Sequence, residues 1–161
     1  MSHISFSELK IWAECPFKHK LLYVDKIKGF QGNEYTAFGK AIHSLCEKSI
    51  VGSLNEEDFD DYFDMIFDNE IHLLGEEYVK KDHLISDMRL QAKQISPLIL
   101  PEVSKYFGDY EVFSVEEKLF EKISDFSLDN YHFKGYIDLV VKTSDGKYHI
   151  VDWKTCSWGW D

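Results

Sequence analysis

The sequence predicts an α+β fold, and a change of period along the chain is the main reason. Up to residue 107 the apolar side chains recur at helical spacing, whereas from residue 108 they alternate as in strands. No repeat, low-complexity tract or linker separates the two halves, and 161 residues suit one domain around one core. The expectation is a single domain over residues 1–161. Residues 1–107 are mainly helical, and residues 108–161 hold a mostly antiparallel β-meander.

A first helix is capped by Ser5 or Ser7 and runs to about Tyr23, with Leu9, Ile11, Trp12, Phe17, Leu21 and Leu22 as its apolar positions. Pro16 marks a break or kink within it. A second helix covers residues 36–50, with Phe38, Ile42, Leu45 and Cys46 on one side, and Gly52 ends it. Asn55 caps a third, whose Phe59, Phe63, Ile66 and Phe67 form a stripe. A fourth begins near Asp82 and meets Pro97 and Pro101, which leave its end open. Residues 111–120, 132–142 and 147–154 read as three strands, the last two joined around the turn Ser144-Asp145-Gly146.

Composition removes several function classes. Hydrophobic residues make up 44% and aromatic residues 16%, which suits a globular chain rather than a disordered one. No apolar run approaches the roughly 20 residues of a membrane span. The opening residues Met1 to Ser5 lack the basic and apolar stretches of a leader. Cys15, Cys46 and Cys156 are widely spaced and include no C-x-x-C pair, so neither a disulfide framework nor a zinc site is indicated. The location expected is cytoplasmic. A formal net charge of −11 argues against nucleic acid, because phosphate contacts need lysine and arginine. The charge is uneven, however. Acid concentrates in residues 56–70, while Lys10, Lys18, Lys20, Lys26 and Lys28 crowd the N-terminal region.

The chemistry-bearing pattern lies in the last two strands. Alternation along residues 148–155 puts Ile150, Asp152 and Lys154 on one face. On the preceding strand Asp138 sits between apolar residues, where an unpaired acid is costly. A bland reading pairs these acids with Lys154 as a structural ion pair. A hairpin with an odd loop sets Asp138 opposite Asp152, with Cβ atoms about 5 Å apart. Two carboxylates that close need a cation, and hard oxygen ligands suit Mg²⁺ or Mn²⁺. A two-residue Asp145-Gly146 turn instead sends the acids to opposite faces.

These segments resemble a known family. Gly135-Tyr136-Ile137-Asp138 followed by Ile150-Val151-Asp152-Trp153-Lys154 is similar to the G-x-x-D and D-x-K motifs of the PD-(D/E)XK nuclease superfamily. Gly39-Lys40-Ala41-Ile42-His43 resembles the helical G-x-x-x-H motif of its RecB-like branch. Ser5-Phe6-Ser7-Glu8-Leu9 with Cys15-Pro16 resembles that branch's opening signature. Helicase-associated nuclease domains, phage exonucleases and CRISPR-adaptation exonucleases share this order of motifs.

The resemblance implies that Asp138 and Asp152 bind the metal, with the Trp153 carbonyl and the His43 imidazole as further ligands. Lys154 then acts on the attacking water or the transition state, and Glu117 is a further acid, with Glu116 one position away. Cys15 matches the first cysteine of iron–sulfur members, but the later cysteines of those members have no counterpart here. No cluster is expected, and Cys15 reads as a buried structural thiol. The family's strand and Q-x-x-x-Y helix after D-x-K are also absent. The expected sheet is therefore truncated after its third strand, with an exposed edge: the sequence is a piece of a longer chain, or a protein partner completes the fold, or this is a minimal member.

The function expected is a Mg²⁺- or Mn²⁺-dependent deoxyribonuclease of a bacterial or phage-infected cell, acting in DNA recombination, repair or processing. By the resemblance it is an exonuclease rather than an endonuclease, working on single-stranded DNA or duplex ends. The rival is a non-catalytic, nuclease-derived subunit that binds DNA or protein.

Overall fold

A computed structural model of the protein describes residues 2–27, 29, 32–123 and 131–156. The elements run β1 (Ser2–Ser5), α1 (Phe6–Glu14), α2 (Pro16–His19), a π-helical turn (Lys20–Val24), α3 (Glu34–Ile50), α4 (Phe59–Leu73), α5 (Asp82–Ile95), α6 (Ile99–Phe107), β2 (Tyr110–Lys122), β3 (Tyr131–Thr143) and β4 (Tyr148–Val151). The strands form a mixed sheet in the order β1-β3-β2, with β4 also paired to β3. The α+β class is therefore as expected. No described helix is long and apolar enough to cross a membrane.

Two details correct the sequence expectation. The sheet gains β1, which pairs parallel to β3 from Ser2↔Tyr131 to Ser5↔Lys134, so it is not a three-stranded antiparallel meander. Four residues are too few for alternation to show, and the partner strand lies far along the chain. The fourth helix becomes two. Pro97 lies in a 3₁₀ turn, Ser96–Leu98, and helix resumes as α6 with Pro101 in its first turn, where the missing N–H has no intrahelical partner to lose.

The chain divides into two compact units. The first comprises Met1–Gln31 with Glu116–Ile137, the second Gly32–Val115 with Asp138–Asp161. In the first unit the Ser5 side chain caps α1 by accepting from the Glu8 N–H at 3.2 Å. Pro16 opens α2 at a position where a helix tolerates proline. His19 Nε2 meets Glu8 Oε1 at 2.9 Å and its ring stacks on Tyr23, which ties α2 back to α1.

In the second unit α3 is central. A reciprocal capping box starts it: the Asn33 side chain accepts from the Thr36 N–H at 3.1 Å, and the Asn33 N–H donates to Thr36 Oγ1 at 2.8 Å. Ala37, Phe38, Ala41, Ile42, Leu45 and Cys46 of α3 are buried against Phe59, Phe63, Phe67 and Ile71 of α4. The Phe38 ring meets Phe63 edge-on at 5.7 Å, and Phe63 lies 5.3 Å from Phe67. Truncating any of these rings to alanine costs about 3–5 kcal/mol. The acids of α4 are partly structural. Asp64 and Asp68 take the two arms of Arg89 from α5, and Glu70 binds Lys40 of α3 at 2.6 Å. A second cluster joins Ile50, Val103, Leu139 and Val141, which seats β3 on the helices.

Candidate active site

All the structure described for the D-x-K and G-x-x-x-H segments lies in the second unit. His43 is carried there by α3, one turn beyond Gly39. With Ala41, Ile42 and Leu45 buried around it, the imidazole is held at the edge of the core, 27% exposed. Its Nδ1 stands 3.5 Å from Asp138 Oδ2.

Asp138 lies on β3 immediately before Leu139, Val140 and Val141, all buried. The β3–β4 hairpin closes through a three-residue loop, with the Thr143 N–H donating to the Lys147 carbonyl at 3.0 Å and Gly146 at φ 82°. An odd loop fixes the register Lys142↔Tyr148, Val141↔His149, Val140↔Ile150 and Leu139↔Val151. The ladder stops one step short of the pair Asp138 and Asp152.

The backbone departs from the expected strand at this point. β4 ends at Val151, and residues 152–156 are irregular, so strand alternation does not orient Asp152 and Lys154. The reason is a bond outside the ladder. The Trp153 N–H donates to Asp138 Oδ2 at 2.8 Å, so the Asp138 side chain captures the chain beyond the strand. The Trp153 side chain packs against both core clusters, and its buried Nε1 finds no partner among the described residues. Lys154 Nζ folds back on Asp152 Oδ1 at 2.5 Å and lies 3.4 Å from the Trp153 carbonyl.

Three segments thus converge: His43 touches Asp138, Asp138 holds Trp153, and Trp153 is flanked by Asp152 and Lys154. Both contacts to Asp138 fall on Oδ2, and Oδ1 makes no hydrogen bond among the described residues. Among the described residues no ready-made cluster of three His, Cys, Asp or Glu side chains is present. Asp152 is drawn to Lys154 instead. A family model of the PD-(D/E)XK nuclease superfamily matches residues 3–159. The chain belongs to that superfamily. No curated protein and no solved structure matches the chain.

PD-(D/E)XK proteins are nucleases that generally use divalent metals such as Mg²⁺, and membership implies DNA as the substrate class. The residues present fit such an ion. By type, the Asp138 and Asp152 carboxylates, the Trp153 carbonyl and the His43 imidazole are mostly hard donors of the kind such an ion takes.

Glu117 is an exposed residue of β2 and belongs to the first unit. Its neighbour Glu116 adopts a left-handed backbone, φ 49°, which breaks the alternation of β2. Counting by twos along the sequence therefore does not decide between the two acids. Cys15 is exposed, not buried, because α1 and α2 bury no residue at all. The buried thiol is Cys46, one turn beyond His43 on α3. Burial, with the Glu47 and Asp138 carboxylates nearby, pushes it up to about 12. The remaining feature that sequence reasoning missed is a contact between Gly39 and Thr155, for which the G-x-x-x-H spacing was the available signal. Lys28 and the Trp158-Gly159-Trp160 end lie outside the described residues.

Proposed function

We propose that this PD-(D/E)XK chain is a Mg²⁺- or Mn²⁺-dependent deoxyribonuclease of the RecB-like branch, with His43, Asp138, Asp152 and Lys154 as its working side chains. The observation that carries the reading is the convergence on Asp138 of a helical histidine and the D-x-K segment. A structural ion pair between Asp138 and Lys154 does not account for it, because Lys154 bonds to Asp152.

Asp138, Asp152, the Trp153 carbonyl and His43 would hold the ion. When bound, it polarises a phosphate oxygen and makes its water more acidic. His43 and the Trp153 N–H fix the Asp138 carboxylate through Oδ2, which leaves Oδ1 for coordination. Lys154 keeps a cationic amine beside Asp152, where it can orient a water or offset charge developing on the phosphate. Glu117 is the further acid in this reading. Exonucleolytic action on DNA ends, in recombination, repair or processing, follows from the RecB-like pattern of Gly39 and His43.

End-labelled single- and double-stranded DNA incubated with Mg²⁺, Mn²⁺ or chelator tests this. Metal-dependent release of label from ends is expected. DNA binding without cleavage in either metal, from a chain extended past Asp161 as well as from this one, would favour a non-catalytic subunit.

A further inference from the structure

The first unit leaves a helix face bare. Along α1, Ile11 and Glu8 point to the packed side, and Lys10 and Glu14 lie on a polar arc. The remaining arc, Phe6, Leu9, Trp12 and Ala13, spans about a third of the helix and is exposed. Phe6 is 69% exposed and Trp12 55%, and α2 adds Phe17 at 67%. Three exposed rings on neighbouring helices form the kind of apolar patch that marks an interaction site.

Charge says which kind. The whole chain has a net charge of −11, yet residues 1–31 carry Lys10, Lys18, Lys20, Lys26 and Lys28 against only Glu8, Glu14 and Asp25. The lysines are interleaved with the rings in sequence: Lys10, Trp12, Phe17, Lys18, Lys20. Lys18 and Lys20 pair with Glu14 and Asp25, but these bridges are largely solvent-exposed and weak enough for a phosphate to displace the carboxylates. Protein interfaces are enriched in aromatic residues but depleted in lysine. Aromatic platforms set among lysines are the signature of unpaired nucleic acid, whose bases stack while its phosphates pair with the cations. The scaffold is also fixed in advance, since the His19–Glu8 bond and the His19–Tyr23 stack lock the α1–α2 corner.

We propose that the exposed face of α1 and α2 is a binding surface for single-stranded DNA, with Trp12 and Phe17 as base-stacking platforms and Lys10, Lys18 and Lys20 on the backbone. This takes DNA as the ligand from the nuclease reading and adds a strand preference and further binding residues. In a duplex the base faces are covered by their neighbours, so the same rings have nothing to stack on.

The test is fluorescence anisotropy with a labelled oligothymidylate and with a blunt hairpin duplex, in chelator so that no cleavage occurs. Trp12→Ala and Phe17→Ala should each weaken oligothymidylate binding on the order of 10-fold, the scale of one lost base stack. Trp12→Phe should recover most of that loss, and duplex binding should change little. Lys10→Gln should flatten the salt dependence. Both rings are exposed, so an unchanged melting temperature is expected and separates lost binding from lost folding. Wild-type oligothymidylate affinity in Trp12→Ala, or an equal loss on duplex, overturns the proposal. So does a dimer of the wild-type chain that Trp12→Ala dissociates without altering oligothymidylate binding, because the face then belongs to a second copy. The cleavage assay is independent. An inactive chain can still show ring-dependent binding, and an active one can lack it.

Discussion

Gly39 of α3 lies so close to Thr155 that a Cβ at position 39 would stand 3.1 Å from Thr155 Oγ1. The glycine eases this approach and is not there for an unusual backbone, since position 39 is mid-helix. Alanine there gains about 1 kcal/mol of helix propensity while pressing on the residue next to Lys154. Gly39→Ala should therefore leave the melting temperature unchanged or slightly raised, yet slow cleavage on the order of 10-fold through displacement of the 152–155 segment. Removing the obstruction in the double variant with Thr155→Ala should restore the rate. A variant as active as wild type would show that the contact is incidental.

Asp138 supports two neighbours and, in the nuclease reading, the ion. Asp138→Asn should abolish Mn²⁺ binding in calorimetry, because it removes the charge on which the hard-donor set depends. His43→Ala should weaken Mn²⁺ binding less, since water can replace a neutral nitrogen. Unchanged Mn²⁺ affinity in Asp138→Asn would place the ion elsewhere.

Lys154 distinguishes enzyme from binding module. Lys154→Ala should lower the cleavage rate by about 10²-fold or more, the scale of a lost acid–base or electrostatic group. DNA affinity measured in Ca²⁺ should change little. A binding module would show the reverse, with a modest loss of affinity and a shallower salt slope.

Glu34 sets an acid limit to stability. It is buried at the start of α3 and accepts from the Tyr78 hydroxyl at 2.7 Å and the Lys81 N–H at 2.8 Å. Burial raises its carboxyl, but these donors outweigh that and hold it below the ordinary value of 4.5. A carboxyl lowered on folding stabilises the protein fully above the unfolded value, and that stabilisation fades as pH falls through the folded one. Thermal melts of wild type should therefore drop on acidification below about pH 4.5, the unfolded-state value. Glu34→Gln should be less stable at neutral pH by about 1.5–3 kcal/mol and flatter across the acid range.

Thiol reactivity should separate the cysteines. Cys15 and Cys156 are exposed, whereas Cys46 is buried with its thiol pushed up to about 12. A disulfide reagent at pH 8 should modify Cys15 quickly and Cys46 only on unfolding. Rapid reaction of Cys46 in the native protein would mean that α3 opens locally.

Local order was legible where one residue's neighbours in sequence are also its neighbours in space. The stripe Phe59, Phe63 and Phe67 needed only the helical period, and all three are buried. The three-residue loop at Ser144-Asp145-Gly146 followed from a chemical demand, that Asp138 and Asp152 share a side; the loop is odd as expected, while the ladder itself ends at Leu139↔Val151. Periodicity failed where a distant group competes for the backbone. Asp152 and Lys154 read as the end of a strand, but Asp138 takes the Trp153 N–H and ends the ladder at Val151. Glu116 and Glu117 read as alternating positions until a left-handed residue broke the count. Cys15 read as buried because thiols usually are, yet its helices have no core beneath them.

The sequence by itself determined the kinds of atom available: two carboxylates, one imidazole and one amine, in a fixed order along the chain, with caps and turns that need no distant partner. Tertiary structure alone decided their company. A 3.5 Å approach of His43 to Asp138 depends on how α3 packs, through Leu45, Ile42 and Trp153, onto the helices and onto the β3–β4 hairpin. Packing is a property of whole surfaces fitted together, and no local period encodes it.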